Sequence, residues 1–238
     1  QFGQLGLATG NEVQIDSVAA NAFSPINLED FPRSATAALQ PRIPGLTVRR
    51  AFSYSDTRAV ATVKASPVEP DVRVETQDTL SLGEDRTVLA VNATATITRA
   101  GIFRLSFTMP PGFDVESISG SALSHWTELK TDAGRVITLH LPGKTDGQQQ
   151  FAISLSGPGL KATNGWAVPQ VVLREASKQR GTLLIVPEQG MRLQAASREG
   201  VTQLDPQKSG IRQRGVLAFH ILQAPSNLTL DIESVDPW

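Results

Sequence analysis

The stretch Ser124-His125-Trp126-Thr127-Glu128 carries the residue types best suited to hold a ligand. A tryptophan ring has a flat apolar face on which a pyranose ring can stack, and histidine and glutamate can bond to sugar hydroxyls. Trp166 could supply a second platform. These residues predict a carbohydrate-binding surface formed by His125, Trp126, Glu128 and Trp166. The alternative is that both tryptophans fill a core or seal a sheet edge, which the aromatic content of only 5% favours.

The other chemistry-bearing residues match no catalytic or metal-binding pattern. The chain has no cysteine, which excludes thiolate catalysis, disulfide frameworks and Cys-ligated metal sites. His125, His140 and His220 lack the close spacing of a zinc site. Gly143-Lys144-Thr145 matches the end of a phosphate-binding loop, but Thr138 stands where that loop needs glycine. We therefore predict no catalytic residues, no metal ligands and no cofactor.

Four pairs of neighbouring acids are the remaining candidates for catalysis. A glycosidase needs two carboxylates that face each other across the sugar, one of them with a raised pKa. Charged residues two positions apart on a strand instead share its solvent-exposed face. We interpret all four pairs as surface residues: Glu29-Asp30, Glu84-Asp85, Asp114 with Glu116, and Asp231 with Glu233.

Composition narrows the class of partner. The 238 residues are 40% hydrophobic and 19% charged, with a formal net charge of −1, so the chain lacks the basic surplus that nucleic-acid binding requires. No apolar run reaches the 18 residues of a membrane span, so we predict no direct membrane insertion. The chain begins at Gln1 without an initiator methionine and ends at Trp238, which predicts a fragment of a longer protein.

Apolar and polar residues alternate along much of the chain, and this period of two is typical of strands with one buried face. Residues 88–97, 136–141 and 151–155 are clear examples. Fifteen prolines and nineteen glycines separate such runs at the spacing of a β-sandwich. Only residues 28–40 favour a short helix, with Ser34 as its cap. The sequence therefore predicts an all-β protein built of antiparallel β-sandwiches.

The two ends of the chain resemble each other. Residues 51–70 align with 218–237 without a gap, at an offset of 167, and residues 3–15 align with 181–193 at an offset of 178. The first copy thus holds eleven extra residues, which fall in a loop region where insertions are tolerated. We predict half-module A (1–70), a middle sandwich (71–172) and half-module B (173–238), a repeat of A. Either the chain is part of a tandem array, or its two ends pair with each other.

Residues 50–195 carry a succession of strand and turn residues that includes "RAGIFRLSFTMPPGF" and, further on, "HWTEL". This succession resembles the β-rich extracytoplasmic regions of large uncharacterised bacterial membrane-anchored proteins, in which a similar strand ends in proline. The resemblance implies a periplasmic or cell-surface location in a bacterium and a β architecture, and it implies no active-site residues.

The sequence as a whole favours a non-catalytic extracytoplasmic module of a larger cell-envelope protein, acting as a structural spacer or interaction domain. Its expected partners are other domains of the same longer chain or other envelope proteins. Two alternatives stay open. One is a carbohydrate-binding module that uses Trp126 to bind polysaccharide. The other is an accessory β domain of a larger polysaccharide-active or other enzyme.

Overall fold

A computed structural model describes residues 2–43 and 45–235 and divides the chain into two compact units, Gln1–Glu69 (unit 1) and Pro70–Trp238 (unit 2). Strands account for 63% of the chain and helices for 4%, so the predicted all-β class with antiparallel sheets is confirmed. No helix in the described ranges has the length and apolar character needed to cross a membrane.

Unit 1 consists of two small antiparallel sheets. One has the order β1-β4-β3 and the other pairs β2 with β5. A 3₁₀ turn at Leu28–Asp30 and a four-residue helix, α1 (Ser34–Ala37), occupy the region predicted to be helical; Arg33 rather than Ser34 precedes the helix as its cap residue. The strands are β1 (Gly3–Thr9), β2 (Val13–Ala19), β3 (Ser24–Ile26), β4 (Thr47–Tyr54) and β5 (Thr62–Pro67).

Unit 2 consists of a large sheet and a three-stranded sheet. The large sheet has the order β14-β15-β12-β6-β7-β10-β8, with β9 also paired to β10, and the small sheet has the order β11-β16-β13. The strands are β6 (Asp71–Leu82), β7 (Arg86–Thr108), β8 (Asp114–Gly120), β9 (His125–Thr131), β10 (Gly134–Pro158), β11 (Thr163–Ala167), β12 (Lys178–Pro187), β13 (Met191–Glu199), β14 (Val201–Leu204), β15 (Leu217–Ile221) and β16 (Asn227–Ser234).

The hydrophobic core of unit 2 follows directly from the alternation of its strands. Strand β6 buries every second residue from Val72 to Leu82 and exposes most of those between. The same rule places side chains of β7, β10, β12 and β16 in one continuous buried cluster. Each fully buried Leu, Ile or Phe contributes roughly 1.5–3 kcal/mol. This cluster holds the two sheets of unit 2 together.

The long antiparallel pair of β7 and β10 is interrupted near its middle. Arg99 has a φ of 70°, and the pairing of β10 with β7 shifts register between His140 and Thr145. Such irregularities bend a strand and re-aim its side chains. The first part of β10 consequently pairs with β9, whereas the part after the shift pairs with β8.

The two aligned ends of the chain form strand pairs with the same register. Both the β1–β4 pair and the β12–β15 pair are antiparallel. In each pair, the leucine two residues after the shared glycine lies opposite a phenylalanine. The equivalent pairs are Gly3 with Tyr54 and Leu5 with Phe52 in unit 1, and Gly181 with Ile221 and Leu183 with Phe219 in unit 2.

The equivalence extends to the second pair of strands and to the turn between them. Strand β3 pairs with β4 as β14 pairs with β15, and a 3₁₀ turn follows each, at Leu28–Asp30 and Pro206–Ser209. The eleven extra residues of unit 1 come after this turn, where α1 lies. The further equivalent pairs are Val13 with Pro67 and Ile15 with Ala65 in unit 1, and Met191 with Ser234 and Leu193 with Ile232 in unit 2.

The predicted boundary between a middle sandwich (71–172) and half-module B (173–238) lies within unit 2. Val171 and Leu173 are only 3% exposed, and Leu173 pairs with Phe107 of β7. Strand β12 then runs parallel to β6 over ten consecutive residue pairs, from Lys178 to Pro187. The middle segment and half-module B therefore share one sheet and one core. Alternation along the sequence could not reveal this, because it does not show which distant strands pair.

Gln179 fixes the connector that leads into β12. Its side chain is 6% exposed, accepts a hydrogen bond from the Leu173 amide at 2.9 Å and donates one to the Val171 carbonyl at 2.7 Å. Both connector groups are buried, so the loss of their partner would leave them without hydrogen bonds inside the protein.

We expect Gln179→Ala to lower the free energy of unfolding of unit 2 by about 2–4 kcal/mol, because it leaves two buried backbone groups unpaired and opens a cavity. Urea denaturation followed by tryptophan fluorescence measures the change. Gln77→Ala is the matched control, since Gln77 lies at an exposed position of β6 and its truncation should cost less than about 0.5 kcal/mol. Equal losses in the two variants would contradict the assignment.

Candidate functional site

The predicted carbohydrate surface divides between the two faces of β9. All seven residues of β9 are exposed, and His125 lies opposite His140 in the register while Trp126 lies opposite Leu139. The His125 and His140 rings stack with their centroids 4.5 Å apart and their planes 8° from parallel. Because successive side chains of a strand point to opposite faces, His125 and Trp126 cannot contact one ligand on the same face.

Glu128 shares a face with Trp126 and is already engaged in an ion pair. Its Oε1 lies 2.5 Å from Arg135 Nε, while the same guanidinium lies 2.8 Å from an Asp114 oxygen and donates to the Phe113 carbonyl at 2.7 Å. The hydrogen bond from Arg135 lowers the pKa of Glu128. A glycosidase acid needs a raised pKa, so Glu128 does not fit that role.

The two tryptophans occupy different surroundings. Trp126 is 37% exposed at the edge of the large sheet. Trp166 lies on β11 of the small sheet, is partly buried and packs against the core cluster. Trp166 also lines a largely apolar cavity of about 580 Å³ together with Met109, Phe113 and several prolines. The structure therefore places His125, Trp126 and Glu128 on one strand but does not bring Trp166 to them.

A larger concave region lies on the outer face of the large sheet. This groove has a volume of about 880 Å³ and crosses β8, β10, β7, β6, β12 and β15. Strand pairing aligns its outward side chains in two neighbouring rows, which we call the polar groove. One row holds His220, Thr182, Gln77, Asn92, Ala152 and Ser119; the other holds Arg180, Glu75, Thr94 and Gln150.

The chemistry of the polar groove is that of neutral donors and acceptors. Amides and hydroxyls predominate, and Arg180 forms an ion pair with Glu75 within the same row. Gln77, Asn92 and Gln150 can each donate and accept hydrogen bonds, which suits a ligand rich in hydroxyl or amide groups. No group of three or more histidines, aspartates or glutamates in the described ranges is close enough to hold a metal ion.

Sequence reasoning missed the polar groove because its rows join strands that are far apart in the chain. One signal was present: the outward positions of β6 and β7 include Gln77, Asn92 and Thr94, whose side chains are neutral hydrogen-bonding groups. The order of the strands, which sets these residues side by side, depends on the parallel pairing of β6 with β12.

An unusual acid lies on the opposite, inward face of β6. Asp78 is 6% exposed, and burial raises its pKa to about 7. The Thr76 hydroxyl opposes this shift only partly, and at ordinary hydrogen-bond geometry neither Thr76 Oγ1 nor Asp78 Oδ1 has a partner among the residues that the structure describes. Burial therefore decides the protonation state, and the carboxyl is substantially protonated below neutral pH.

Comparison with known proteins gives no family. No family model matches the chain, and no curated protein matches it in sequence. Among solved structures, an M1 zinc metallopeptidase from Deinococcus radiodurans superposes with a TM-score of 0.40 and 14% identity, covering 68% of this chain and 42% of that one. Native yeast LTA4 hydrolase superposes with a TM-score of 0.42 and 10% identity, covering 68% and 29%.

This chain thus spans less than half the length of either protein, and similarities at this level carry no functional assignment. The resemblance to extracytoplasmic regions of bacterial membrane-anchored proteins stays a prediction.

We expect the stability of unit 2 to fall as the pH rises from about 4 to 8. The pKa of Asp78 is about 7 in the folded state and about 3.9 in an unfolded chain, so between these values the folded state binds the extra proton. The contribution of Asp78 to stability is therefore fully present below about pH 4, and its loss by pH 8 is at most about 4 kcal/mol. Urea denaturation at a series of pH values measures it.

Asp78→Asn should remove this part of the pH dependence and make the variant more stable than the parent at pH 8, because no charge then forms inside the core. Asp132→Asn, at an exposed turn position, should leave the pH profile unchanged. A parent profile that does not decline between pH 5 and 8, or one that Asp78→Asn leaves unaltered, would show that Asp78 does not titrate in the core.

Proposed function

We propose that this chain is a non-catalytic β-sandwich module of a larger extracytoplasmic cell-envelope protein, where it serves as a structural spacer or interaction domain. One observation carries the proposal. The chain contains two copies of one strand unit with the same register, and the second copy is built into the sheet of the segment before it. Repeated units that share an interface with their neighbours are a common way to build extended, stiff regions of a protein.

The interface between the middle segment and half-module B suits such a role. Ten parallel residue pairs join β6 to β12, and residues from both segments form one core. A mechanical load on the chain would have to break this whole pairing together with the core. The two segments therefore act as a single mechanical element.

Force spectroscopy on the chain held by its two ends tests this proposal. We expect unit 2 to unfold in a single event with a length gain of roughly 55 nm, the extension of residues 70–238 at about 3.4 Å per residue. Unit 1 adds its own step of roughly 23 nm, the extension of its 69 residues, so the contradicting result is the replacement of the 55 nm event by two steps of roughly 20 and 35 nm.

Gly181→Ala supplies the informative variant for the same measurement. A Cβ at Gly181 would lie 2.2 Å from the Thr76 carbonyl oxygen, so the substitution should force β12 away from β6 and split the event in two. Gly143→Ala is the control, because a Cβ there meets no atom within 4 Å and the single event should persist. Reporter fusions to the full-length protein that are active only outside the cytoplasm would test the location separately.

A second candidate function, carbohydrate binding, is favoured by the polar groove. Its neighbouring rows of amides and hydroxyls offer the hydrogen-bonding groups that sugars require, although no exposed Phe, Tyr or Trp ring is among the described residues that line it. Trp126 remains a separate exposed platform, with Glu128 held by Arg135 beside it. The two surfaces can be distinguished because they lie on different parts of the large sheet.

We expect a panel of envelope and plant polysaccharides to show whether either surface binds. If the polar groove is the site, the double variant Gln77→Ala and Asn92→Ala should weaken binding at least about tenfold in calorimetry, whereas Trp126→Ala should have little effect. If Trp126 is the platform, the outcomes reverse. Phe2→Ala is the control, since Phe2 is an aromatic ring 92% exposed in unit 1. An absence of binding to the whole panel would exclude this candidate.

A further inference from the structure

The two copies of the repeated unit differ in what covers them. In half-module B, β12 pairs with β15 on one side and with β6 on the other. In unit 1, the equivalent β1 is the edge strand of its sheet and pairs with β4. An edge strand presents unpaired backbone N–H and C=O groups, which are a ready template for another strand.

The apolar side chains of the two copies also differ in how deeply they are buried. In half-module B, Leu183 is 5% exposed and Ile185 is fully buried, whereas the equivalent Leu5 and Leu7 of unit 1 are only partly buried. On the second pair of strands, Leu230 is 0% exposed, but the equivalent Val63 is 39% exposed. Unit 1 thus keeps the apolar positions of the repeat but buries them less completely.

We propose that the β1 edge of unit 1 is a docking edge for a domain of the same kind as residues 71–172, whose β6-type strand adds in parallel to β1. This deepens the proposed function, on which it rests, by naming the partner. The register follows from the repeat: since Gly181 lies opposite Thr76 and Thr182 opposite Gln77, Gly3 and Gln4 would lie opposite the matching positions of the incoming strand.

The observations favour this occupant over a second copy of the chain. In the chain itself, both edges of β6 are taken, by β7 and by β12, so another copy has no free β6 to offer. The sequence at the start of unit 1 also repeats the one that begins β12. Gln1 stands two residues before Gly3, as Gln179 stands two residues before Gly181.

Cysteine cross-linking in this cysteine-free chain tests the register directly. A second copy of residues 70–178 is fused ahead of residue 1. Residue 178 of the added copy is then joined directly to Gln1, just as residue 178 is joined to the equivalent Gln179 in the original chain. Gln77→Cys is introduced in the added copy and Gln4→Cys in unit 1. Neighbouring strands bring such residues within the range of a disulfide. We expect the pair to cross-link within the chain to at least about half the yield of a Gln77→Cys and Thr182→Cys pair in the original unit 2.

Cross-linking of the Gln77→Cys and Thr182→Cys pair also shows that the original unit 2 is folded in the fusion. An out-of-register pair, Thr79→Cys in the added copy with Gln4→Cys, should cross-link at least about fivefold less. Equal yields from the two pairs, or no cross-link while the unit 2 pair forms normally, would overturn the proposal. So would disulfide-linked dimers of the unfused chain carrying Gln4→Cys alone, because these would show that β1 pairs with a second copy. These outcomes are independent of how unit 2 unfolds under force, so the docking edge can fail while the spacer function stands.

Discussion

The parallel pairing of β6 with β12 is the contact on which the rest of unit 2 depends. It places half-module B in the same sheet as the middle segment, although about a hundred residues separate the two strands. The pairing works because both strands alternate in phase. The inward residues of β6, such as Leu80, and those of β12, such as Ile185, enter the same core, while Gln77 and Thr182 lie side by side on the outer face. A shift of one residue would exchange these faces.

Two features of β6 and β12 show how closely the strands are fitted to each other. Gly181 has no side chain at the point where the Thr76 backbone comes closest, and Gln179 satisfies the buried connector just before it. Against these stabilising features stands Asp78, an acid in the interior whose burial opposes ionisation. The core can hold this carboxyl only because its large apolar cluster supplies far more free energy than one protonated acid costs.

The sequence contained the local rules of the fold but not its long-range pairings. Alternation predicted the strands and the all-β class, and residues 51–67 and 218–234 of the aligned segments have equivalent pairing partners as well as similar residue types. The pairing of β12 with β6 across the predicted boundary at residues 172 and 173 was not visible in the sequence, because a chemical pattern along one strand does not reveal its neighbour. The same limit explains the site. His125, Trp126 and Glu128 are adjacent in sequence, yet alternation sends His125 to the opposite face, whereas the polar groove joins residues as distant as Asn92 and His220.

Half-module B completes both the core and the polar groove, and this links the two candidate functions. Arg180, Thr182 and His220 come from half-module B, while Asn92 and Gln150 come from the middle segment. Any ligand long enough to fill the groove would contact both segments at once. Its binding energy would then add to the free energy that holds β12 against β6, since a ligand that binds only the paired state stabilises that state. The proposed spacer role and a groove that binds a hydroxyl-rich ligand are therefore compatible in one sheet, because the ligand would strengthen the contact on which the proposed resistance to load depends.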